Sequence, residues 1–235
     1  MENINIYICL RNNETTIQHT FDILKLCETI WNITYFIYEN DSVDSTKSQI
    51  RNFMMNRSGR YVCCDLNDIN YSSNSIQKTQ YMASVRNKVK NISKGFHTNL
   101  SNISVLLDST ISFSPNDLKF MVNILHNCSA YSMVTPYGHH FHNKHCYSDI
   151  NSLETLDGTN ILSVTGLPSI VEVHSAFGGL AVFRTSAFMQ SEWDPLQSTL
   201  KSEHYSFCRN IRKHGKIVIL TNIRVIYKFK QMLVK

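Results

Sequence analysis

Tyr38-Glu39-Asn40-Asp41-Ser42-Val43-Asp44-Ser45-Thr46 is the stretch whose reading decides the fold. The apolar run Ile33 to Ile37 before it predicts a strand, and the segment after it, as far as Met55, keeps its apolar residues at helical spacing. A strand that ends in carboxylates and an amide and turns directly into a helix is the kind of junction at which open α/β sheets bind ligands. Asp44 or Ser42 is placed to take the free N–H groups of that helix's first turn. An ordinary capped turn uses the same residue types, so the motif is weighed together with what flanks it.

Outward from this junction, strand-like and helix-like segments alternate through the first half, the signature of β-α units on a mostly parallel sheet. Upstream, a strand over Asn5 to Leu10 with alternating Ile4, Ile6, Ile8 and Leu10 precedes Ile17, Phe21, Leu24, Cys27 and Trp31 at helical spacing. Downstream, Ser58-Gly59 ends the helix, Arg60 to Cys64 reads as a third strand ending at Asp65, and Asn67 to Ser75 as a loop. Tyr81, Met82, Val85, Val89 and Ile92 predict a helix over Gln77 to Ile92 that carries Arg86-Asn87. Ile103 to Leu107 reads as a buried central strand ending in Asp108, Pro115 opens another helix, and Ala130 to Val134 is a further strand. The second half differs, with a loop-prone stretch from Thr135 to Gly158 and a Gly178-Gly179 pair inside the apolar run Ala176 to Phe183. Ser202 to Cys208 leads into a short helix, and strands over Lys216 to Leu220 and Arg224 to Lys228 close the chain. The expectation is a single α/β domain over residues 1–235, divided into a nucleotide-binding half (1–134) and an acceptor-binding, closing half (135–235).

Composition narrows the class. At 235 residues and 43% hydrophobic, the chain can bury one substantial core. No stretch of about 18 apolar residues is present, and the N-terminus enters a strand without a basic and apolar leader, so neither secretion nor a membrane span is expected. Seven cysteines, with Cys63-Cys64 adjacent and no paired C-x-x-C spacing, argue against a disulfide framework and for a reducing, cytoplasmic compartment. The net charge of +5, from 23 basic and 18 acidic residues, forms no long basic run, and no nucleic-acid partner is expected.

Five motifs occur in order: Tyr38-Glu39-Asn40-Asp41-Ser42 with Asp44 and Thr46; Tyr81-Met82-Ala83-Ser84-Val85-Arg86-Asn87; Val105-Leu106-Leu107-Asp108; Ser175-Ala176-Phe177-Gly178-Gly179; and Ser202-Glu203-His204. In this order the chain resembles the fungal capsule-associated α-1,3-mannosyltransferase-like glycosyltransferases, with kinship to chlorovirus glycosyltransferases of the GT-A fold. The resemblance implies a GT-A-like, Rossmann-type sheet and transfer of a sugar from a UDP- or GDP-sugar to an acceptor hydroxyl of a glycan or glycoprotein. It also implies a cytosolic setting, in a cell or in a virus-infected host.

Cleavage of the anomeric bond leaves a nucleoside diphosphate whose charge needs a divalent cation or cationic side chains. The resemblance makes Asp108 the metal carboxylate for Mn²⁺ or Mg²⁺, although Asp108-Ser109-Thr110 lacks the second carboxylate of an Asp-x-Asp pair. His204 is the completing ligand it suggests, and Glu203 the base that would deprotonate the acceptor in an inverting reaction. Arg86, a fork-shaped donor, would reach the diphosphate or orient an acidic residue, with a similar choice for Arg11, and Glu39, Asn40 and Asp65, at neighbouring strand ends, would contact the base and ribose. Gly178 and Gly179 would let backbone approach the donor. Tyr147 and Asp149 fall where the family has a Tyr-Asp pair facing the sugar or acceptor, here with Ser148 between them, which makes Asp149 a further catalytic candidate.

The cluster His139-His140, His142, His145 and Cys146 has no place in that pattern and does not match paired Cys/His zinc spacing, so a polar acceptor-facing loop is expected there. Two other classes stay open. A sugar-nucleotide nucleotidylyltransferase needs a glycine-rich basic loop after its first strand, and Arg11-Asn12-Asn13-Glu14 has no glycine. A catalytically inert nucleotide- or sugar-binding module would fit the incomplete acidic motif, and turnover separates it from an enzyme.

Overall fold

The computed structural model describes residues 1–66, 75–96, 101–140, 143–147, 152–158, 166–196 and 202–227, and of residues 75, 140 and 143–146 the backbone alone. In chain order the elements are β1 (Glu2–Leu10), α1 (Ile17–Cys27), β2 (Trp31–Asn40), α2 (Thr46–Met54), β3 (Gly59–Cys64), α3 (Ser75–Ile92), β4 (Ile103–Asp108), β5 (Ile111–Ser112) and α4 (Pro115–Asn127). They continue with β6 (Tyr131–His140), β7 (Asn143–Tyr147), β8 (Glu154–Thr155), β9 (Ile170–Ser175), β10 (Leu180–Arg184), α5 (Thr185–Gln190), α6 (His204–Ile211) and β11 (Lys216–Tyr227). The strands form one sheet in the order β3-β2-β1-β4-β10-β6-β11-β9-β8, with β5 and β7 added on β11 and β6. This is a mostly parallel α/β sheet flanked by helices.

Strands β3, β2, β1 and β4 run parallel. The chain moves from β1 outward to β2 and β3, then returns through α3 to β4 on the other side of β1. That reversal makes the crevice above the carboxyl ends of β1 and β4 a switch point, where such sheets bind ligands. β10 is inserted antiparallel between β4 and β6, which itself runs parallel to β11.

Both sheet faces are covered. Ile4, Ile6, Ile8 and Leu10 of β1 pack with α1, α2 and α4, whereas Tyr7 faces Phe36 of β2 and Phe188 of α5. β1 is therefore buried on both sides, and its polar Asn5 is satisfied by donating to Ser101 O at 3.1 Å.

The structure differs from the sequence reading at several points. Trp31 opens β2 instead of ending α1, because α1 stops at Cys27 and the chain turns through 28–30. Val134 is not the end of β6: despite Pro136 and Gly138 the strand continues to His140, and the expected loop over 135–158 contains the β6–β7 hairpin. The boundary drawn between residues 134 and 135 thus falls within one strand. The two closing strands are a single β11, with a register shift between Leu220 and Arg224 opposite Pro136, whose missing N–H cannot serve the ladder there. The segment expected as a loop over Asn67 to Ser75 lies outside the described residues except at its end, which begins α3.

Gly59 sets the edge of the parallel sheet. Its φ is +127°, and an added Cβ would lie 1.9 Å from Tyr35 O. Gly59→Ala is expected to cost about 3 kcal/mol or more, because β2 backbone must move away, and urea denaturation of the two proteins measures it.

Candidate functional site

The turn that opens the reading is stitched to the one after β1. Asn12 N donates to Ser42 Oγ (2.9 Å), Asn13 N to Thr46 Oγ1 (2.7 Å) and Glu14 N to Asp44 Oδ2 (3.2 Å). In return Val43 N donates to Asn12 Oδ1 (3.0 Å) and Ser45 N to Glu14 Oε2 (3.1 Å). Asp44 also takes the Thr46 N–H at the start of α2, at 3.0 Å, while Ser42 serves the neighbouring turn.

Because β2 runs through Asn40, Glu39 and Asn40 point to opposite faces. Glu39 is fully buried on the α1–α2 face, where its Oε1 accepts from Ser42 N at 2.8 Å and its Oε2 has no hydrogen-bond partner among the described residues. Asn40 faces α3 and lines a cleft of about 520 Å³ at the carboxyl ends of β1 and β2, together with Arg11, Asn12, Lys78 and Tyr81. Lys78, Tyr81, Met82 and Val85 reach this cleft from one stripe of α3, at the i, i+3, i+4, i+7 spacing of a helix face. Neither Lys78 nor the role of Tyr81 was singled out from sequence, although that spacing was there to be read. Cys9 also lines the cleft, but burial pushes its thiol up to about 12, so it is no nucleophile at neutral pH.

Next to the cleft, Arg86 of α3 is 3% exposed. Its Nε donates to Glu203 Oε1 at 2.9 Å, its Nη2 lies 3.4 Å from Asp108 Oδ1, and its guanidinium sits 4.9 Å above the Phe177 ring centroid. Phe177 stacks on His204 at 4.0 Å, and His204 Nε2 lies 3.4 Å from Glu203 Oε1. The turn through Gly178 and Gly179, with φ of +65° and +79°, comes directly against Asp108, whose N–H donates to Gly179 O at 2.9 Å. Thr135 Oγ1 lies within hydrogen-bond reach of both Phe177 O and Leu180 O, 3.0 Å from the latter, and Tyr147 Oη accepts from Phe177 N at 3.2 Å. Gly138 leaves room for this turn, since a Cβ there would meet Gly178 O at 2.8 Å. Phe177 and Tyr147 are thus the supports of the site.

The fold accordingly assembles Arg86, Asp108, Gly178, Gly179, Glu203 and His204 in one place, with Arg11 and Asn40 in the adjoining cleft. Asp65 stands apart: it is largely exposed and pairs with Lys47 of α2. Asp149 and His142 lie outside the described residues, as do the side chains of His140, His145 and Cys146, while His139 is buried in β6.

The charges are unequal. Burial would lower Arg86, but Asp108 and Glu203 outweigh it and keep the guanidinium charged. Burial raises Glu203, and its surroundings, with the permanent Arg86 charge among them, more than reverse this, so its carboxylate is held below the ordinary range. Asp108 is raised, first by burial and also by the Glu203 charge, against the pull of Arg86. Asp108 keeps 31% side-chain exposure and is the carboxylate of this group best placed to meet a further cation.

No protein-family model and no curated protein matches this sequence. Solved structures do match its fold. Staphylococcus aureus TarS 1–349 superposes with a TM-score of 0.61 at 11% identity, over 97% of this chain and 60% of that one. The same fragment in complex with UDP-GlcNAc gives 0.61 at 10%, over 97% and 59%. The mannosyltransferase PcManGT from Pyrobaculum calidifontis, in complex with GDP-Man and Mn²⁺, gives 0.61 at 11%, over 95% and 56%. The fold is GT-A-like. The chain spans 60% and 56% of the length of these solved chains, and 37% of a longer TarS chain. Among the described residues no helix is long and apolar enough to cross a membrane, and no group of three His, Cys, Asp or Glu is arranged as a metal cage.

His204 gives the site a pH signature. Burial, and then the Arg86 charge, push it from its ordinary 6.5 down to about 3, with Glu203 pulling the other way. An unfolded chain takes up this proton below pH 6.5, whereas the folded one waits until about 3, so stability is lost as pH falls through that window. His204→Phe, which keeps a ring on Phe177, is expected to lose less thermal stability than the parent between pH 7 and pH 4.5, as read by circular dichroism.

Proposed function

We propose that the chain is a glycosyltransferase that moves a sugar from a UDP- or GDP-sugar to an acceptor hydroxyl. The observation that carries this reading is the placement of Asp108, Arg86 and Glu203 together at the switch point of a GT-A-like sheet, beside a cleft large enough for a nucleoside. Its support in comparison is that solved structures of the same fold include complexes with UDP-GlcNAc and with GDP-Man and Mn²⁺.

In this reading the nucleoside lies in the cleft lined by Arg11 and Asn40, and the diphosphate points toward Asp108. Magnesium and manganese commonly take one or two carboxylates from the protein and the rest of their oxygens from phosphate and water, so a site without a three-residue cage still fits such a cation. Asp108, a hard oxygen donor that keeps partial exposure, would hold it. His204, kept neutral, is a nitrogen donor within the same group of side chains, although its Nε2 is turned to Glu203. When bound, the metal would offset charge growing on the departing diphosphate.

The chain's own groups supply the rest. Arg86 adds a fixed positive charge, with Nη1 buried and without a hydrogen-bond partner among the described residues. Glu203, held ionised, is the carboxylate that would accept the acceptor hydroxyl's proton. The acceptor would approach over the Gly178–Gly179 turn, on the side of the second half of the chain. A cytoplasmic setting, a hexosyl donor and kinship with the capsule-associated and chlorovirus enzymes belong to the same proposal.

Thermal midpoints measured against UDP-, GDP- and other nucleotide-sugars, each with and without Mn²⁺, test it, since a ligand of the folded state raises the midpoint by mass action. The expected outcome is a metal-dependent rise for one nucleotide class that disappears in Asp108→Ala. No rise with any nucleotide under either condition would overturn the donor site and favour an inert module.

A further inference from the structure

Lys90, one turn beyond Arg86 on α3, is fully buried, yet no carboxylate among the described residues lies within hydrogen-bond distance of its Nζ. Glu192 Oε1 is 3.9 Å away, on a side chain 67% exposed. The ammonium donates instead to Met189 O at 3.5 Å and to Ser191 O, carbonyls at the end of α5. Carbonyl dipoles replace only part of the hydration that a buried charge gives up, and a methionine of similar length would fill the same space without that cost.

The segment 189–194 that covers this ammonium is tied on its other side to α6. Asp194 N donates to Ser206 Oγ at 3.0 Å, Asn210 Nδ2 donates to Glu192 O at 3.0 Å, and Trp193 stacks on Phe207 with ring centroids 3.9 Å apart. Ser206 Oγ also donates to Glu203 O at 3.0 Å, so the segment reaches the turn that carries Glu203. Two more of its polar atoms, Ser191 Oγ and Trp193 Nε1, are buried without a hydrogen-bond partner among the described residues. Each gains a bond to water if the segment lifts, so three uncompensated polar groups sit under or within one short stretch of chain.

We propose that residues 189–194 are a strap poised to open, and that the charge on Lys90 drives the opening, which frees the first turn of α6 and Glu203 with it. Burial lowers the ammonium from 10.5 to about 8, with Glu192 pulling the other way and Lys94 adding to the lowering. Tyr7, whose Oη donates to Ser93 Oγ at 3.1 Å on the same side of α3, is pushed up to about 12 by its own burial. Lys90 in water holds its proton more tightly than Lys90 under the strap, so protonation favours the open form. The closed form gains as pH rises from 7 to 9, by about tenfold in the ratio of closed to open. The strap itself stands on this geometry, and its consequence for a base at Glu203 rests on the transferase reading.

Hydrogen exchange of the intact chain, read by mass spectrometry at pH 7 and pH 9 with every amide corrected for its intrinsic rate, tests the proposal. Protection of residues 189–194 is expected to rise about tenfold from pH 7 to pH 9, while that of β1 and β4 stays level. Lys90→Met is expected to raise the protection at pH 7 and to remove the pH step. If Lys90→Met does not fold, the parent protein's own step decides. The proposal is overturned if protection of 189–194 in the parent is unchanged or falls between the two pH values, or if a folded Lys90→Met exchanges at pH 7 as the parent does. Absence of nucleotide-sugar turnover would sink the transferase reading and leave a strap with the expected step standing.

Discussion

A guanidinium buried to 3% exposure has to be neutralised by its surroundings, and at Arg86 this requirement organises half the molecule. An unpaired buried charge costs several kcal/mol, so the fold must bring carboxylates to it. They come from two elements far apart in sequence: Asp108 at the end of β4 and Glu203 at the start of α6. Phe177, beneath the guanidinium, adds the β9–β10 turn to the same junction. Removal of the arginine would leave two carboxylates facing each other in a poorly hydrated space. The arrangement that stabilises the junction also concentrates charge at the sheet's switch point, where a reaction that generates charge can use it.

The support behind Arg86 extends along α3. Asn87 Nδ2 donates to Trp193 O at 2.6 Å and Asn87 Oδ1 accepts from Trp193 N at 3.1 Å. One turn later the buried Lys90 ammonium reaches Met189 O at 3.5 Å and Ser191 O, and burial lowers its pKa to about 8. These contacts lock α3 to the end of α5 and the segment after it, which leads toward α6 and Glu203. A ring cluster of Phe183, Phe188, Trp193 and Phe207 fills the space beneath. The site is therefore built on packed helices and a strand end, which suits a geometry that must be held to fractions of an ångström.

The cleft beside it is framed differently, by the reciprocal hydrogen bonds between the turns after β1 and β2. Sequence distance is about thirty residues across each of these bonds, so the frame exists only because β1 and β2 lie side by side and in register, Leu10 against Glu39. The inward burial of Glu39 and the position of Asn40 at the cleft both depend on that register.

The order of strands and helices in the first half was legible in the chain, because hydrophobic periodicity and turn residues act locally: β1 to β4, α2, α3 and the Pro115 start of α4 are where their patterns put them. Asp108 at a buried strand end and Arg86 on α3 were likewise visible as residue types at element ends. The sequence could not reveal which of two adjacent residues faced which layer. Glu39 and Asn40 read as equivalent until β2 was seen to run through both, after which the period of two assigns them to opposite faces. Nor could local signals see past Pro136 and Gly138, which read as loop, to a β6 that continues because β10 and β11 hold it on both sides. Partners more than a hundred residues apart, such as Arg86 and Glu203, are selected by burial of charge in the assembled fold, and no local pattern encodes that pairing.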